Sequence, residues 1–178
     1  QTQIAALGSK QIVALQASVI DNLTTEQVAW LGIQPTDDTS GSKSQIQSLT
    51  TAQILALSSD QIGAMTADQI GALSIAQLNV ITETQSPSLT SAQVAKLDTT
   101  QIAAIKAATF ATLSTDVIAG LTTGDGDSVD QIGALTTAQV QALGKDQRYR
   151  AAQLRPDEPP FGCAARFRGS RRDPRGLA

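Results

Sequence analysis

The chain has 178 residues, of which 41% are hydrophobic and 3% aromatic, and its formal net charge is −3. It contains no histidine and one cysteine, Cys163, which excludes a Ser–His–Asp or Cys–His catalytic group, an intrachain disulfide and a Cys/His zinc site. No segment approaches the 18 or more apolar residues that a membrane span needs. The composition fits one domain with a core of Ile, Leu and Ala.

An eight-residue repeat, here called the octad, runs through most of the sequence. Residues 49–73 read LTTAQILALSSDQIGAMTADQIGAL, which is three copies of it. We number the octad so that the small polar residue after Leu is position 1, Gln is position 4, Ile is position 5 and the next Leu is position 8. From residue 4 to residue 143, position 8 is a large aliphatic residue and position 5 is apolar except at Ser86. A fixed period over most of a chain is typical of a solenoid.

The octad fits a short helix that restarts in every repeat. A continuous helix would turn about 800° per octad and spread its leucines around the axis, whereas a strand would point positions 5 and 8 to opposite faces. Positions 1–4, as in residues 50–53, form the capping box S/T-x-x-Q, and an acid at position 3, such as Asp60, suits a first helical turn. We predict an all-α solenoid of very short Thr/Ser-capped helices, one per octad. A β-solenoid, which Thr and Ile favour, is the alternative.

A single octad cannot fold alone. Burying two large aliphatic side chains contributes about 3–6 kcal/mol, whereas ordering eight backbone units costs about 8–16 kcal/mol. Only stacking on other octads can offset the difference. The predicted partners of each repeat are therefore neighbouring repeats of the same longer chain.

Residues 1–31 contain four octads. The first of them is already incomplete at Gln1, and no signal peptide is visible. These two features predict a fragment of a longer array or a processed chain. Trp30 takes position 7, where Ala is usual. We interpret it as a packing variant, with a platform for a ligand as the alternative.

Residues 32–44 replace the usual joint between octads by a segment rich in Pro, Gly, Ser and Asp, which predicts a loop. Asp37 and Asp38 are interpreted as solvated residues of this loop, with cation binding as the alternative. Ser42 and Gln45 stand at positions 1 and 4, so we predict that they form the capping box with which the array resumes. An insertion that returns to register is typical of a loop projecting from one face of a solenoid.

Residues 45–121 hold ten octads in unbroken register. Pro87 degrades one of them, because proline lacks an amide hydrogen and disfavours helix at the preceding residue. Gln85 and Leu89 keep their places, which predicts that this unit survives as a bent or unwound coil. Met65 substitutes for Leu at position 8 and is assigned to the core.

A second insertion, Thr122–Asp127, precedes Ser128 and Gln131, which again stand at positions 1 and 4. Asp125, Asp127 and Asp130 resemble the alternating oxygen ligands of calcium loops. The bidentate acid at the far end of such a loop is missing, so a polar turn is the preferred interpretation and a calcium site the alternative. No other cofactor is expected.

The composition changes at Gly144. Residues 1–143 carry four lysines against twelve acids, net −8, whereas residues 144–178 carry nine basic residues against four acids, net +5. We predict two parts: an octad solenoid over 1–143, with loops at 32–44 and 122–127, and a disordered Arg/Pro-rich tail over 144–178. A frameshift or sequencing artefact is one hypothesis for the tail, and a genuine basic arm is the other. Nucleic-acid binding is not expected, because no recognised nucleic-acid module surrounds the arginines.

The octads LTTAQILAL, LTTAQVQAL and LTSAQVAKL resemble the T-T-x-Q-[IV]-x-A-L arrays of very large, repetitive bacterial surface proteins, often labelled haem-utilisation or adhesion proteins. The resemblance spans residues 1–143 and implies secretion to the cell surface and a role as a stalk or adhesive array, with host or cell-surface ligands as partners. It carries over no functional residues. The absence of histidine, and of tyrosine before Tyr149, gives the haem label no support.

The chain is predicted to be non-enzymatic. It has no phosphate-binding loop of the G-x-x-x-x-G-K-[ST] type and no G-x-G-x-x-G, and capping or solvation accounts for its acids. The predicted function is a structural repeat segment, a stalk, spacer or adhesive array, of a large secreted bacterial surface protein. The alternative is a discrete ligand-binding module that uses the inserted loops with the help of calcium.

Overall fold

The structure, a computed structural model, describes residues 6–32, 44–123 and 130–153. Fourteen short α-helices and one 3₁₀ turn follow one another along these residues. They are α1 Ser9–Ala14, α2 Ala17–Asp21, α3 Thr25–Ala29, α4 Gln45–Ser48, α5 Thr51–Ala56, α6 Ser59–Ala64, α7 Ala67–Gly71, α8 Ile75–Leu78, the 3₁₀ turn Ser86–Ser88, α9 Ser91–Val94, α10 Thr99–Ala104, α11 Ala107–Ala111, α12 Thr115–Ala119, α13 Thr137–Ala142 and α14 Lys145–Gln153. No strand occurs among the described residues. The predicted all-α solenoid is confirmed.

Most helices begin where the capping box predicts. In α5, the Gln53 amide donates to Thr50 Oγ1 over 3.2 Å while the Thr50 amide donates to Gln53 Oε1 over 2.7 Å. The same reciprocal pair opens most of the other helices, with Asp98 as the capping residue of α10. Because two amides of the first turn are satisfied locally, a helix of four to six residues can start without help from the preceding octad.

Two extended residues form the corner between consecutive helices. Leu57 at position 8 has ψ 134°, and Ser58 at position 1 has ψ 164°. The chain therefore leaves each helix abruptly and starts the next one in a new direction.

Helices pack against the helix three octads further along the chain. Pairs of this kind include α7 with α9, α8 with α10, α3 with α6, and α12 with α14. Three octads, or 24 residues, therefore make one turn of the solenoid, and three columns of stacked helices run along it. This number could not be read from the octad itself, because any count of octads per turn gives the same eight-residue period.

The core is a single cluster built from positions 5 and 8. Ile54, Ile62, Ile70 and Phe110 at position 5 are fully buried, and at position 8 Leu57 is likewise buried. Met65 is buried among them, which confirms its assignment to the core.

The first insertion begins after Gly32, whereas the sequence predicted that it begins at residue 32. Helix α4 begins at Gln45 with Ser44, not Ser42, as its capping residue. Gly32 takes position 1 in space, because its amide donates to Gln45 Oε1 over 2.6 Å and its carbonyl accepts the Ile46 amide over 3.2 Å. Ile46 follows Gly32 by fourteen residues, where an uninterrupted octad has four. The octad thus closes across ten additional residues, and Ser42, Asp37 and Asp38 lie outside the described residues.

The second insertion follows the same rule. The Thr122 amide donates to Gln131 Oε1 over 3.1 Å, and the Ile132 amide donates to the Thr122 carbonyl over 3.1 Å. Thr122 is therefore position 1 of this octad, and six additional residues follow it. Residues 131–134 form a turn rather than a helix. The predicted capping residue Ser128 lies outside the described residues.

The octad that contains Pro87 keeps its place as predicted, since a 3₁₀ turn replaces its helix. Thr82 and Gln85 still form the reciprocal capping pair. The buried Ser86 hydroxyl at position 5 bonds to Thr112 Oγ1, which itself donates to the Thr109 carbonyl over 2.8 Å. A polar side chain is tolerated in the core here because a partner one turn away satisfies it.

Helix α14, Lys145–Gln153, continues the array beyond the boundary predicted at residue 143. Its Gln147 occupies position 4, and Ala151 at position 8 is buried. Arg148 at position 5 is exposed. The rest of the predicted tail, residues 154–178, lies outside the described residues, so its disorder and the frameshift hypothesis stay predictions.

Candidate functional site

The glutamines at position 4 join successive turns of the solenoid. Gln77 shows the geometry: its Oε1 accepts the Ser74 amide of its own octad over 2.8 Å. Its Nε2 donates to the carbonyls of Ile46 and Leu49, in the turn below, over 2.9 and 2.7 Å. One side chain therefore caps the start of its own helix and satisfies carbonyls at the end of a helix 28 residues earlier.

This arrangement, here called the glutamine ladder, repeats along the described array. Eleven glutamines donate to a position-8 carbonyl of the preceding turn over 2.6–2.9 Å; they are Gln45, Gln53, Gln61, Gln69, Gln77, Gln85, Gln93, Gln101, Gln131, Gln139 and Gln147. The separation in sequence is 28 residues, rising to 38 or 34 where an insertion intervenes. All eleven side chains are buried.

The ladder explains why position 4 is Gln rather than Glu. A capping box accepts either residue, because only the side-chain oxygen is used. A primary amide adds two donors, and here they meet position-8 carbonyls, which lie beyond the ends of the short helices, and in several octads also the position-5 carbonyl. The sequence carried this signal, since no position 4 in the array is Glu, but sequence reasoning assigned the glutamines to capping alone.

Two octads of the later turns lack glutamine at position 4. In one of them, Thr109 takes its place and donates from Oγ1 to the Ile81 carbonyl over 3.3 Å. In the next, Val117 is buried and provides apolar contact only, while Ser114 still caps the helix by accepting the Val117 amide over 3.2 Å. The columns continue through both octads, so the ladder tolerates isolated gaps.

Small residues let the turns approach closely. A Cβ added to Gly71 would lie 3.1 Å from the Lys96 carbonyl oxygen, and one added to Gly120 would lie 2.8 Å from Ser91 Cβ. Glycine therefore avoids a steric overlap at Gly120 and a tight contact at Gly71. Lys96 also pairs with Asp68 of the turn below over 3.0 Å, but both side chains are more than half exposed, so this pair contributes little.

The weak calcium candidates are not brought together among the described residues. Asp125 and Asp127 lie outside them, and Asp130 Oδ1 accepts the Gly133 amide over 2.7 Å. No group of three acidic or cysteine side chains suited to a metal ion occurs in the described ranges. Trp30 is half-buried at the end of α3.

Two acids at helix starts have a pKa below the ordinary value. Hydrogen bonds from Thr100 Oγ1 and from the Gln101 amide lower the pKa of Asp98 below its ordinary value. The pKa of Glu26, in the first turn of α3, is lowered by a backbone hydrogen bond and by Thr24. Both shifts follow from capping geometry and need no catalytic role.

Residues 43–75 match the family model of the ALTTAQ repeat. The matched segment covers α4 to α7 and contains the four capping boxes of these helices and four rungs of the glutamine ladder. The motif in the family's description spells positions 7, 8 and 1 to 4, the residues that form the corner, the cap and the ladder. The match supports a repeat family of structural segments.

No curated protein and no solved structure matches the chain. None of the described helices is long and apolar enough to cross a membrane.

Proposed function

We propose that the array is a non-enzymatic spacer, a stalk or adhesive segment of a larger secreted bacterial surface protein. The observation that carries the proposal is the glutamine ladder. Its side chains are used entirely in holding one turn on the next, and the ladder resumes in register after both insertions. In such a structure, the length of the array increases with the number of repeats.

The expected length follows from the stacking. The first column runs from α1 to α14 in five steps, and stacked helices lie about 8–10 Å apart, which gives about 40–50 Å for the described array. Each further turn of 24 residues would add about 8–10 Å. Length is therefore set by the number of octads, which is the property that a spacer needs.

Deletion of one complete turn tests this property. Removal of residues 50–73 joins Leu49 to Ser74 in phase, and we expect small-angle X-ray scattering to show a particle shorter by about 8–10 Å that still unfolds cooperatively. Removal of residues 50–61, one and a half octads, is the control and should abolish cooperative unfolding, because it destroys a corner and a cap. Equal behaviour of the two deletions would overturn the proposal.

The location at the cell surface has its own test. An antibody raised against the folded array should label intact cells of the source organism. Labelling only after the cells are opened would refute the surface location while leaving the spacer architecture standing.

A binding module built on the inserted loops is the second candidate. It is favoured because the octads of both insertions keep the bond from the position-1 amide to the glutamine and keep their rung of the ladder. Calcium titration followed by thermal unfolding separates the two candidates. A saturable rise in melting temperature at millimolar calcium, lost on removal of residues 123–128, would favour the binding module.

A further inference from the structure

The glutamine ladder is interrupted at one level in the interior of the described array. Between Leu7 and Leu113, every position-8 carbonyl of the described residues accepts a bond from a position-4 side chain of the following turn, except that of Leu89. The residue at the ladder's spacing of 28 from Leu89 is Val117, which has no side-chain donor. Both side chains are buried, and no described group donates to the Leu89 carbonyl.

The level at which residues 106–121 stack on residues 82–97 is here called the seam. Its second rung is also altered, because Thr109 reaches the Ile81 carbonyl with one hydroxyl over 3.3 Å, where a glutamine amide has two hydrogens to donate. Lys106 begins α11 without a side-chain hydrogen bond to the helix start. Two consecutive octads above the seam therefore lack both the glutamine rung and the reciprocal capping pair.

Hydroxyl groups make the other polar contacts across the seam. Below it, Pro87 lies in the 3₁₀ turn that replaces a helix, and the buried Ser86 hydroxyl bonds to Thr112. Ser91 Oγ donates to the Asp116 carbonyl over 3.0 Å at an exposed position. Each of these side chains has a single hydrogen to donate, so the seam is joined by fewer donors than the laddered levels of the array.

The third column crosses the same level with a complete rung. Gln101 Nε2 donates to the carbonyls of Gly71 and Leu73 over 3.0 and 2.8 Å. Asp98 and Gln101 form the reciprocal capping pair of α10, and α10 packs on α8. Two of the three columns are thus weakly joined at the seam, and the third is joined as it is elsewhere.

We infer that the seam is a hinge, at which the array opens along the columns of α11 and α12 while the column of α10 stays closed. The turns of a solenoid contact only their neighbours, so local opening takes place at the weakest interface between them. Opening turns the two parts of the array relative to each other and admits water to the buried Val117. The inference goes beyond the spacer function, since it concerns the fold whatever the array connects.

Thiol labelling of Val117→Cys in the full chain measures the opening. The variant also carries Cys163→Ser, so that the reporter is the single thiol, and cysteine, like valine, is a small apolar residue without an amide donor. The labelling rate divided by that of a free cysteine peptide gives the open fraction. We expect this fraction to exceed the unfolded fraction, obtained from urea denaturation of the same protein, by about tenfold or more.

Substitutions at Thr109 test whether the two columns open together. In the labelled protein, Thr109→Gln supplies an amide donor toward the Ile81 carbonyl and should slow labelling of residue 117, whereas Thr109→Val removes the hydroxyl and should accelerate it. Thr51→Gln, at an exposed first-turn position of α5, is the matched control and should leave the rate unchanged. Circular dichroism of every variant should match the wild type.

An open fraction no larger than the unfolded fraction would overturn the hinge. A labelling rate that neither Thr109 variant changes would also overturn it, because Val117 would then be reached by unravelling from the end of the array.

Discussion

Gln77 Nε2 donates to the carbonyl of Leu49, 28 residues earlier, over 2.7 Å while Gln77 Oε1 holds the amide of Ser74. The start of one helix and the end of another are therefore completed by the same buried side chain. Because a helix of four residues leaves most of its backbone groups without an intrahelical partner, this double use lets helices far shorter than those stable in isolation persist in a stack.

The core should respond to truncation according to position in the octad. Ile62→Ala at position 5 removes a fully buried side chain, and we expect the free energy of unfolding to fall by about 2–5 kcal/mol. Leu55→Ala at position 6 is the control, since Leu55 is 50% exposed, and it should cost less than about 1 kcal/mol. Urea denaturation measures both, and similar losses would mean that the columns are not packed through position 5.

Close approach of the turns predicts an unfavourable effect of an added methyl group. Gly120→Ala places a Cβ 2.8 Å from Ser91 Cβ, so we expect a loss of about 1–3 kcal/mol from overpacking. At Gly144, the added Cβ would meet only Gln147 Oε1, at 3.5 Å, and Gly144→Ala should cost a few tenths of a kcal/mol, about the value of an altered cap. Thermal unfolding in which the two variants shift alike would contradict the spacing argument.

The capping role of Asp98 predicts a dependence on pH. Its pKa in the folded chain lies below the ordinary value of 3.8, so the stability it contributes is present above that value and is lost as the pH falls through the folded-state pKa. Asp98→Asn keeps a capping oxygen but cannot titrate. Between about pH 5 and pH 2.5, the melting temperature of the wild type should therefore fall more steeply than that of Asp98→Asn. Parallel curves would rule out the contribution.

The first insertion should be removable without damage to the array. Deletion of residues 33–42 joins Gly32 to Lys43 and restores an octad in which Gln45 stands three residues after Gly32. We expect an unchanged or slightly raised melting temperature, because a shorter loop costs less closure entropy. Deletion of residues 33–44 leaves Gly32 next to Gln45, so the Gly32 amide can no longer reach Gln45 Oε1, and the melting temperature should fall by several degrees.

Much of the architecture could be predicted from the octad, and the reasons are local. Thr50 and Gln53 identify a helix start, and Ile54 and Leu57 identify the buried face, because capping and burial depend on residues within one repeat. The number of octads per turn depends on packing between repeats, as between α7 and α9, and leaves no trace in an eight-residue period. The prediction of Ser42 as the capping residue at the first insertion was wrong, because the octad closes through Gly32, on the far side of the loop. The second role of the glutamines was missed because its acceptors lie 28 or more residues away.

The stacked fold depends on glutamine acting as a donor between turns, and a matched pair of substitutions measures this directly. Gln77→Glu keeps the capping oxygen but turns a buried carboxylate toward the carbonyls of Ile46 and Leu49, so the free energy of unfolding should fall by about 3 kcal/mol or more. Gln47→Glu makes the same change where the side chain is exposed and caps Ser44 through Oε1, without a carbonyl acceptor among the described residues. The free energy of unfolding of Gln47→Glu, measured with denaturant, should stay within about 0.5 kcal/mol of the wild-type value. Equal stability of the two variants would contradict the ladder.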